Sequence, residues 1–331
     1  MIKKTIRKVA SLINKIIQIS DPNKNMIELI AIGSMLSNQQ YSMNSTNIND
    51  YEFKIFSQFG DDGIIQYLIK NILIENEIFI EFGVENYMES NTRFLMMHNN
   101  WSGFVMDGSE NSMNYLKDQS WYWRYSLTNK AVFIDKNNIN ELLANTGFSN
   151  IGLLHIDLDG NDYHILSEID LSKLNPSIII MEYNSVFGKD RPITIPYDKE
   201  FDRTNAHYSN LFWGASLSAL SYLASKKGYA LIGCNLAGVN AYFLKNSLLN
   251  DKVKELSIDE AFKVSKFRDS RNKDYSLSYL AGKERIDMIK GLEVINVKTN
   301  KRKNYKNMVT HLSLYRTHNK SLHLSFLYSI P

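Results

Sequence analysis

Glu77-Ile78-Phe79-Ile80-Glu81-Phe82-Gly83-Val84-Glu85-Asn86-Tyr87-Met88-Glu89-Ser90-Asn91 carries three signals in succession. The apolar run Ile78 to Ile80 predicts a buried parallel strand. Glu81 to Val84 predicts a turn in which Gly83 lets the backbone pass close to another element, and Asn91 to His98 predicts a helix start. A strand, a glycine turn and a helix in that order place a ligand at the carboxyl end of the strand. Gly83 stands alone, so the three-glycine dinucleotide fingerprint is missing, and no P-loop sequence occurs.

The same pattern continues downstream. Gly103 to Asp107 predicts a second strand ending in an acid, and Asp107 there either accepts from both ribose hydroxyls of a nucleoside or caps the helix from Ser109 to Lys117. Ala131 to Asp135 predicts a third strand, with a helix from Asn138 to Leu143. Leu153 to Tyr163 predicts a fourth strand whose end crowds Asp157, Asp159 and Asp162 together. Such crowding is costly unless cations or hydrogen-bond donors compensate it, the alternative being ordinary solvated strand-end acids. Ser177 to Met181 predicts a fifth strand ending in Glu182-Tyr183-Asn184, so two neighbouring strands deliver oxygen atoms to one edge. Upstream, Gly60-Asp61-Asp62-Gly63 precedes a periodic apolar segment, and an Asp is expected to cap that helix.

Glu81 to Gly83 resembles the first motif of class I S-adenosylmethionine-dependent methyltransferases. His155-Ile156-Asp157-Leu158-Asp159-Gly160-Asn161-Asp162-Tyr163-His164-Ile165-Leu166, followed by Ile178 to Asn184, resembles the FkbM-like branch of that class. The resemblance spans Tyr51 to Lys245. It implies a Rossmann-like seven-stranded methyltransferase sheet with helices on both faces, and S-adenosylmethionine as cofactor. It further implies methyl transfer to a hydroxyl in cytoplasmic polysaccharide biosynthesis or a natural-product pathway. Glu81, Gly83, Asn91, Asp107 and Asp157 are then expected to bind the cofactor, with Asp135 and Asn137 facing the adenine. Asp157, Asp159, Glu182 and Asn184 also resemble the metal site of catechol-type and macrolide-sugar methyltransferases, which implies Mg²⁺ or Mn²⁺ on oxygen ligands. The chain departs from that pattern in having Glu-Tyr-Asn where those families have Asp-Asn or Asp-Asp.

A class I methyltransferase ends in a helix and an antiparallel hairpin. Ala215 to Lys227 predicts the helix, with Gly228 after it, and Tyr229 to Cys234 with Asn240 to Leu244 predict the hairpin. Between the fifth strand and that helix lies an insertion, Ser185 to Trp213. Its aromatics Phe187, Tyr197, Phe201, Tyr208, Phe212 and Trp213 point to an ordered lid that helps to build the acceptor pocket. His207 is either the general base or a packing residue, and Asp157 or Asp159 would serve in its place. After residue 246 the chain turns basic, and Phe267 to Arg271 with Lys263, Lys266 and Lys273 either bind a phosphate or a sugar nucleotide or form a solvated face.

The 331 residues, 44% hydrophobic and 22% charged, describe a globular protein with a sizeable core. A net charge of +3 does not suggest nucleic acid as partner, and the single Cys234 suits a reducing compartment. Ile2, Ile6, Val9, Leu12, Ile13, Ile16 and Ile17 share one helical face and Lys3, Lys4, Arg7, Lys8 and Lys15 the other. Residues 1–20 then either lie peripherally on an anionic inner membrane face or pack on the protein itself or a second subunit of a homo-oligomer. Lys15 and the lack of a small-residue cleavage site speak against a secretory leader. The expected division is residues 1–50 as helix and linker, 51–245 as the methyltransferase domain and 246–331 as a C-terminal extension. The expected acceptor is a small molecule or glycan. Two other readings remain: a sugar-nucleotide-dependent transferase, and a non-catalytic nucleoside-binding scaffold in a glycan-synthesis complex.

Overall fold

The computed structural model describes residues 25–305. The helix expected over residues 1–20 lies outside them. Helix α1 (Met26–Gln39) and helix α2 (Asp61–Asn71) lead into strand β1 (Asn76–Phe82), followed by α3 (Arg93–Asn99), β2 (Ser102–Asp107), α4 (Glu110–Lys117) and β3 (Leu127–Ala131). Next come α5 (Ile139–Ala144), β4 (Ile151–Ile156), α6 (Asp162–Glu168), α7 (Leu171–Leu174) and β5 (Ile178–Glu182). The insertion contributes β6 (Ile193–Thr194) and α8 (Arg203–Ala206), after which α9 (Leu217–Lys226) precedes the hairpin β7 (Tyr229–Cys234) and β8 (Asn240–Lys245). The last segment holds α10 (Ile258–Ala261), α11 (Lys283–Met288), β9 (Glu293–Asn296) and β10 (Lys301–Asn304).

The main sheet has seven strands in the order β3-β2-β1-β4-β5-β8-β7. The pairs among β1 to β5 are parallel, and β8 runs antiparallel to both β5 and β7. Consecutive side chains of a strand point to opposite faces. In β5, Ile178 and Ile180 therefore enter the core shared with α1, α2 and α3, while Ile179 and Met181 enter the core on the α5, α6 and α9 side. Both faces are covered, which is why β4 and β5 read as continuous apolar runs. Each fully buried Ile or Leu contributes roughly 1.5–3 kcal/mol relative to exposure. A second, three-stranded sheet, β10-β9-β6, joins the insertion to the last segment.

The structure corrects two local expectations. The third strand is Leu127–Ala131 and not Ala131 to Asp135, because Gly103 to Asp107 of β2 pair with Leu127 to Ala131. This is an edge strand with only Leu127 and Asn129 buried, so it carries no apolar run. The second concerns Asp61 and Asp62, neither of which caps α2 from outside, since Gly60 occupies the cap position. Asp61 is buried and accepts from Asn235, Asn240 and Tyr242 of the hairpin. Asp62 accepts the backbone N–H groups of Ile55, Phe56 and Ser57. Asp61 ties the start of α2 onto the hairpin at the far end of the sheet, and Asp62 holds the chain that leads into the helix.

Candidate active site

A cavity of about 830 Å³ opens along the carboxyl ends of β1, β2, β4 and β5. The strand ends supply most of its polar wall. Glu81 sits opposite His155 in the β1–β4 register, and His155 Nδ1 lies 2.8 Å from Glu81 Oε1. Ser90 Oγ donates to Glu81 Oε2 at 2.6 Å, the Thr92 hydroxyl donates to the same oxygen, and Asn91 N donates to Oε1 at 3.1 Å. Burial works against charge on both members of the pair. Their mutual hydrogen bond and attraction outweigh it, drawing Glu81 below the usual carboxylate range and His155 above the usual imidazole range. Glu81 therefore spends its oxygens on shaping the turn that follows β1. Asn91 lines the cavity from that turn, its Nδ2 3.3 Å from His155 Nε2.

Gly83 is required twice over. Its φ is +70°, and a Cβ there would stand 1.6 Å from the Asp157 carbonyl oxygen. The element that Gly83 passes is thus the end of β4. Asp107 closes β2 and faces the same turn, Oδ2 accepting from Glu85 N and Oδ1 from Ser109 N, both at 2.8 Å. The cap of α4 is Ser109, so Asp107, which lines the cavity, is not used as that cap. Val132, Phe133 and Ile134 form an apolar wall beside it. Asp135 and Asn137 do not line the cavity. Asp135 Oδ1 accepts from Asn137 N and Asn138 N, and Oδ2 pairs with Lys199 Nζ at 2.7 Å. Because β3 ends at Ala131, its apolar sequel and not the acid faces the site.

The three aspartates after β4 divide their work. Asp162 is fully buried and accepts from Leu158 N at 2.8 Å and Gly160 N at 3.1 Å, holding the loop in shape. At Gly160 a Cβ would meet the Phe201 ring at 2.3 Å, so the glycine lets the insertion lie on the loop. Asp157 and Asp159 open onto the cavity with Glu182, and one carboxylate oxygen from each lies within 4.8 Å of the others. Enclosure by protein pushes Asp157 up to about 7, against the pull of His155, with Asp162, Asp159 and Glu81 adding to the rise. Glu182 is raised well above the usual carboxylate range for the same reason, the nearby Asp157 adding to it. Asn184 does not join this group. Its Nδ2 donates to the carbonyls of Leu211 and Trp213, and its Oδ1 accepts from Val186 N. It holds the insertion together.

The far half of the cavity draws on segments outside the strand ends. Phe201, Arg203 and Trp213 come from the insertion, Asn240 from β8, and Ser265, Phe267, Asp269 and Arg285 from the last segment. Phe267 stacks on Phe59 with ring centroids 5.3 Å apart. Arg203 lies over the Trp213 ring at 4.7 Å, and its Nη2 donates to Asp269 Oδ2 at 3.0 Å. The insertion thus builds the pocket as its aromatics suggested, through Phe201 and Trp213. His207 is not brought into it. Its Nδ1 lies 2.7 Å from Ser209 Oγ, its ring packs on Tyr208, and partial burial lowers its pKa. The basic cluster after 263 also resolves differently, since Arg268 Nε donates to the Tyr279 carbonyl at an exposed position while Ser265, Phe267 and Asp269 face inward.

Sheet order, glycine turn and acid-lined carboxyl edge together define the class I, S-adenosylmethionine-dependent methyltransferase fold. Residues 80–209 match the model of the Methyltransferase FkbM domain, and the seven-stranded sheet that carries them has the methyltransferase fold. No curated protein matches it in sequence. Among solved structures it is similar to TrmK of M. capricolum in complex with S-adenosyl-homocysteine, at 14% identity over 61% of this chain and 74% of that one, with a TM-score of 0.37. A putative O-methyltransferase from Klebsiella pneumoniae is 9% identical over 71% of this chain and 96% of its own, with a TM-score of 0.37. A putative caffeoyl-CoA O-methyltransferase from Staphylococcus aureus is 11% identical over 65% and 99%, with a TM-score of 0.38.

Proposed function

We propose that the protein transfers a methyl group to a hydroxyl of a carbohydrate. The observation that carries this reading is the lining of the far half. Glu182 Oε2, Asn240 Oδ1, Ser265 Oγ, Asp269 Oδ1 and Arg285 Nε are shut off from solvent with no hydrogen-bond partner among the described residues. Each is costly to leave unpaired, by about 1–3 kcal/mol. Three acceptor oxygens, one hydroxyl and one N–H donor border a cavity that Phe201, Trp213 and Phe267 also line, and a polyhydroxylated ring, whose every hydroxyl both gives and takes, is the chemistry that suits such a mixed set.

S-adenosylmethionine supplies the methyl group. The residues present fit it: Asp107 would take the ribose hydroxyls, Val132 to Ile134 the adenine face, and the glycine turn with Asn91 the remainder of the nucleoside side. Asp157 would take the proton from the acceptor hydroxyl, because a base poised near neutral pH is the effective one and Asp157 stands between the two halves. The test is methyl transfer from labelled S-adenosylmethionine to a panel of saccharides and to catechol. Transfer to catechol with none to any saccharide would sink the carbohydrate reading.

The grouping of Asp157, Asp159 and Glu182 favours one second reading, in which a hard divalent cation such as Mg²⁺ or Mn²⁺ is held there and lowers the pKa of the acceptor hydroxyl. Asn184 would take no part. Enzyme stripped with EDTA and freed of chelator should regain activity only with added Mg²⁺ or Mn²⁺ on this reading, and full activity without them removes it. No helix of the described residues is long and apolar enough to cross a membrane. Residues 1–20 would hold the enzyme at an anionic surface, so deleting them should abolish sedimentation with anionic vesicles and leave turnover in solution intact.

A further inference from the structure

Arg285 is the feature of the cavity that a neutral sugar leaves unexplained. It is 7% exposed. Its Nη1 donates to the Ser265 carbonyl at 2.9 Å, Nε has no partner, and no carboxylate among the described residues comes within ion-pair distance of its guanidinium. The nearest opposing charge, Asp269, raises the Arg285 pKa without offsetting the lowering by burial. Asp269 Oδ2 accepts from Arg203, and its free Oδ1 makes no hydrogen bond to Arg285. Removing a guanidinium from water without a counter-charge is among the most expensive arrangements a protein can adopt.

Around that cation the site is built for one more group. Ser265, 8% exposed, is fixed by its N–H donating to Ser185 Oγ at 3.0 Å, and its own hydroxyl is unpartnered. Gly238 lets the chain run close, since a Cβ there would stand 2.5 Å from Ser265 N. Arg203 lies between this corner and the carboxylates of the strand ends, 3.9 Å from Asp159 and 3.0 Å from Asp269, so the acids do not face Arg285 unscreened. A planar fork with free N–H groups beside a hydroxyl matches a carboxylate or a phosphate.

We infer that the acceptor carries an anionic group, carboxylate or phosphate, held by the Arg285 guanidinium and the Ser265 hydroxyl, so that the methylated sugar is an acidic one. This rests on the carbohydrate reading and narrows it.

The experiment is calorimetric titration of the full chain, saturated with S-adenosylhomocysteine, with D-glucose, D-glucuronate and D-glucose 6-phosphate, and with the corresponding galactose series. At least one acidic sugar should bind about tenfold or more tightly than its neutral counterpart, the range for a hydrogen bond to a charged group. The arms separate carboxylate from phosphate. Added salt should weaken the acidic ligand alone. Arg285→Gln should erase the difference and Arg285→Lys restore part of it, with S-adenosylhomocysteine affinity unchanged in both. The salt dependence and the acid preference are read in the unmodified protein, so they stand even where a variant folds poorly. Neutral sugars binding as tightly as acidic ones overturns the inference and leaves the carbohydrate reading in place. Binding of no sugar at all, with S-adenosylhomocysteine still bound, overturns both.

Discussion

The two halves of the cavity are made in different ways. The half proposed to hold the nucleoside is built from consecutive strand ends: Glu81, Gly83 and Asp107 stand where β1 and β2 stop, and the turn after β1 is pinned by Glu81 and His155. The half proposed to hold the acceptor is assembled from residues far apart in the chain, Arg203 and Trp213 from the insertion, Asn240 from the hairpin, Ser265 and Arg285 from the last segment. A half made by backbone topology can stay constant while a half made by loops changes, which is the usual division between shared chemistry and particular substrate.

If that division holds, substitutions in the two halves should be separable by which ligand they disturb. The largest effect is expected at the boundary. Asp157→Asn should lower kcat by about 10²–10⁴-fold, the contribution of a general base, with S-adenosylhomocysteine affinity little changed. In the unmodified enzyme kcat/KM should rise with pH through about 7 as Asp157 loses its proton, and a flat profile there would move the base elsewhere.

Next in size is the pin beneath the nucleoside half. Glu81→Gln leaves His155 buried without its partner and should destabilise the fold by about 3–5 kcal/mol. The sign with pH follows from the directions of the shifts. Glu81 is lowered from 4.5, so its contribution is present above that value and is lost as pH falls through its folded pKa. His155 is raised from 6.5, so its contribution is present below that value and is lost as pH rises through its folded pKa. The loss on substitution should therefore be greatest between about pH 4.5 and 6.5 and smaller in alkaline solution. Denaturant titrations across pH measure it, and a loss independent of pH would mean the pair is not ionised.

How much of this was legible in the sequence follows the same division. β1, β2, β4, β5, the hairpin and α9 carry apolar runs or helical periodicity because they are buried, so their order could be read directly. β3 could not, because an edge strand needs no apolar run. The apolar stretch from Val132 to Ile134 drew the reading four residues too far and put Asp135 and Asn137 at the adenine in place of the wall before them. His155 stood in view within the fourth strand, but only the β1–β4 register shows that it opposes Glu81. Asn184 does line the cavity, but its amide is taken up by the insertion, and His207 is held outside it against Ser209 and Tyr208. Arg285 had no local signal at all. What marks it is burial without an ion-pair partner among the described residues, a property of the folded chain.

The most direct test of the division is the affinity of S-adenosylhomocysteine, measured by calorimetry on the unmodified protein, Asp107→Ala and Trp213→Ala. The account predicts a loss of about 1.5–3 kcal/mol for Asp107→Ala, from hydrogen bonds given up to a charged group, and no change for Trp213→Ala. Unchanged affinity in a folded Asp107→Ala protein, or an equal loss in Trp213→Ala, would contradict it.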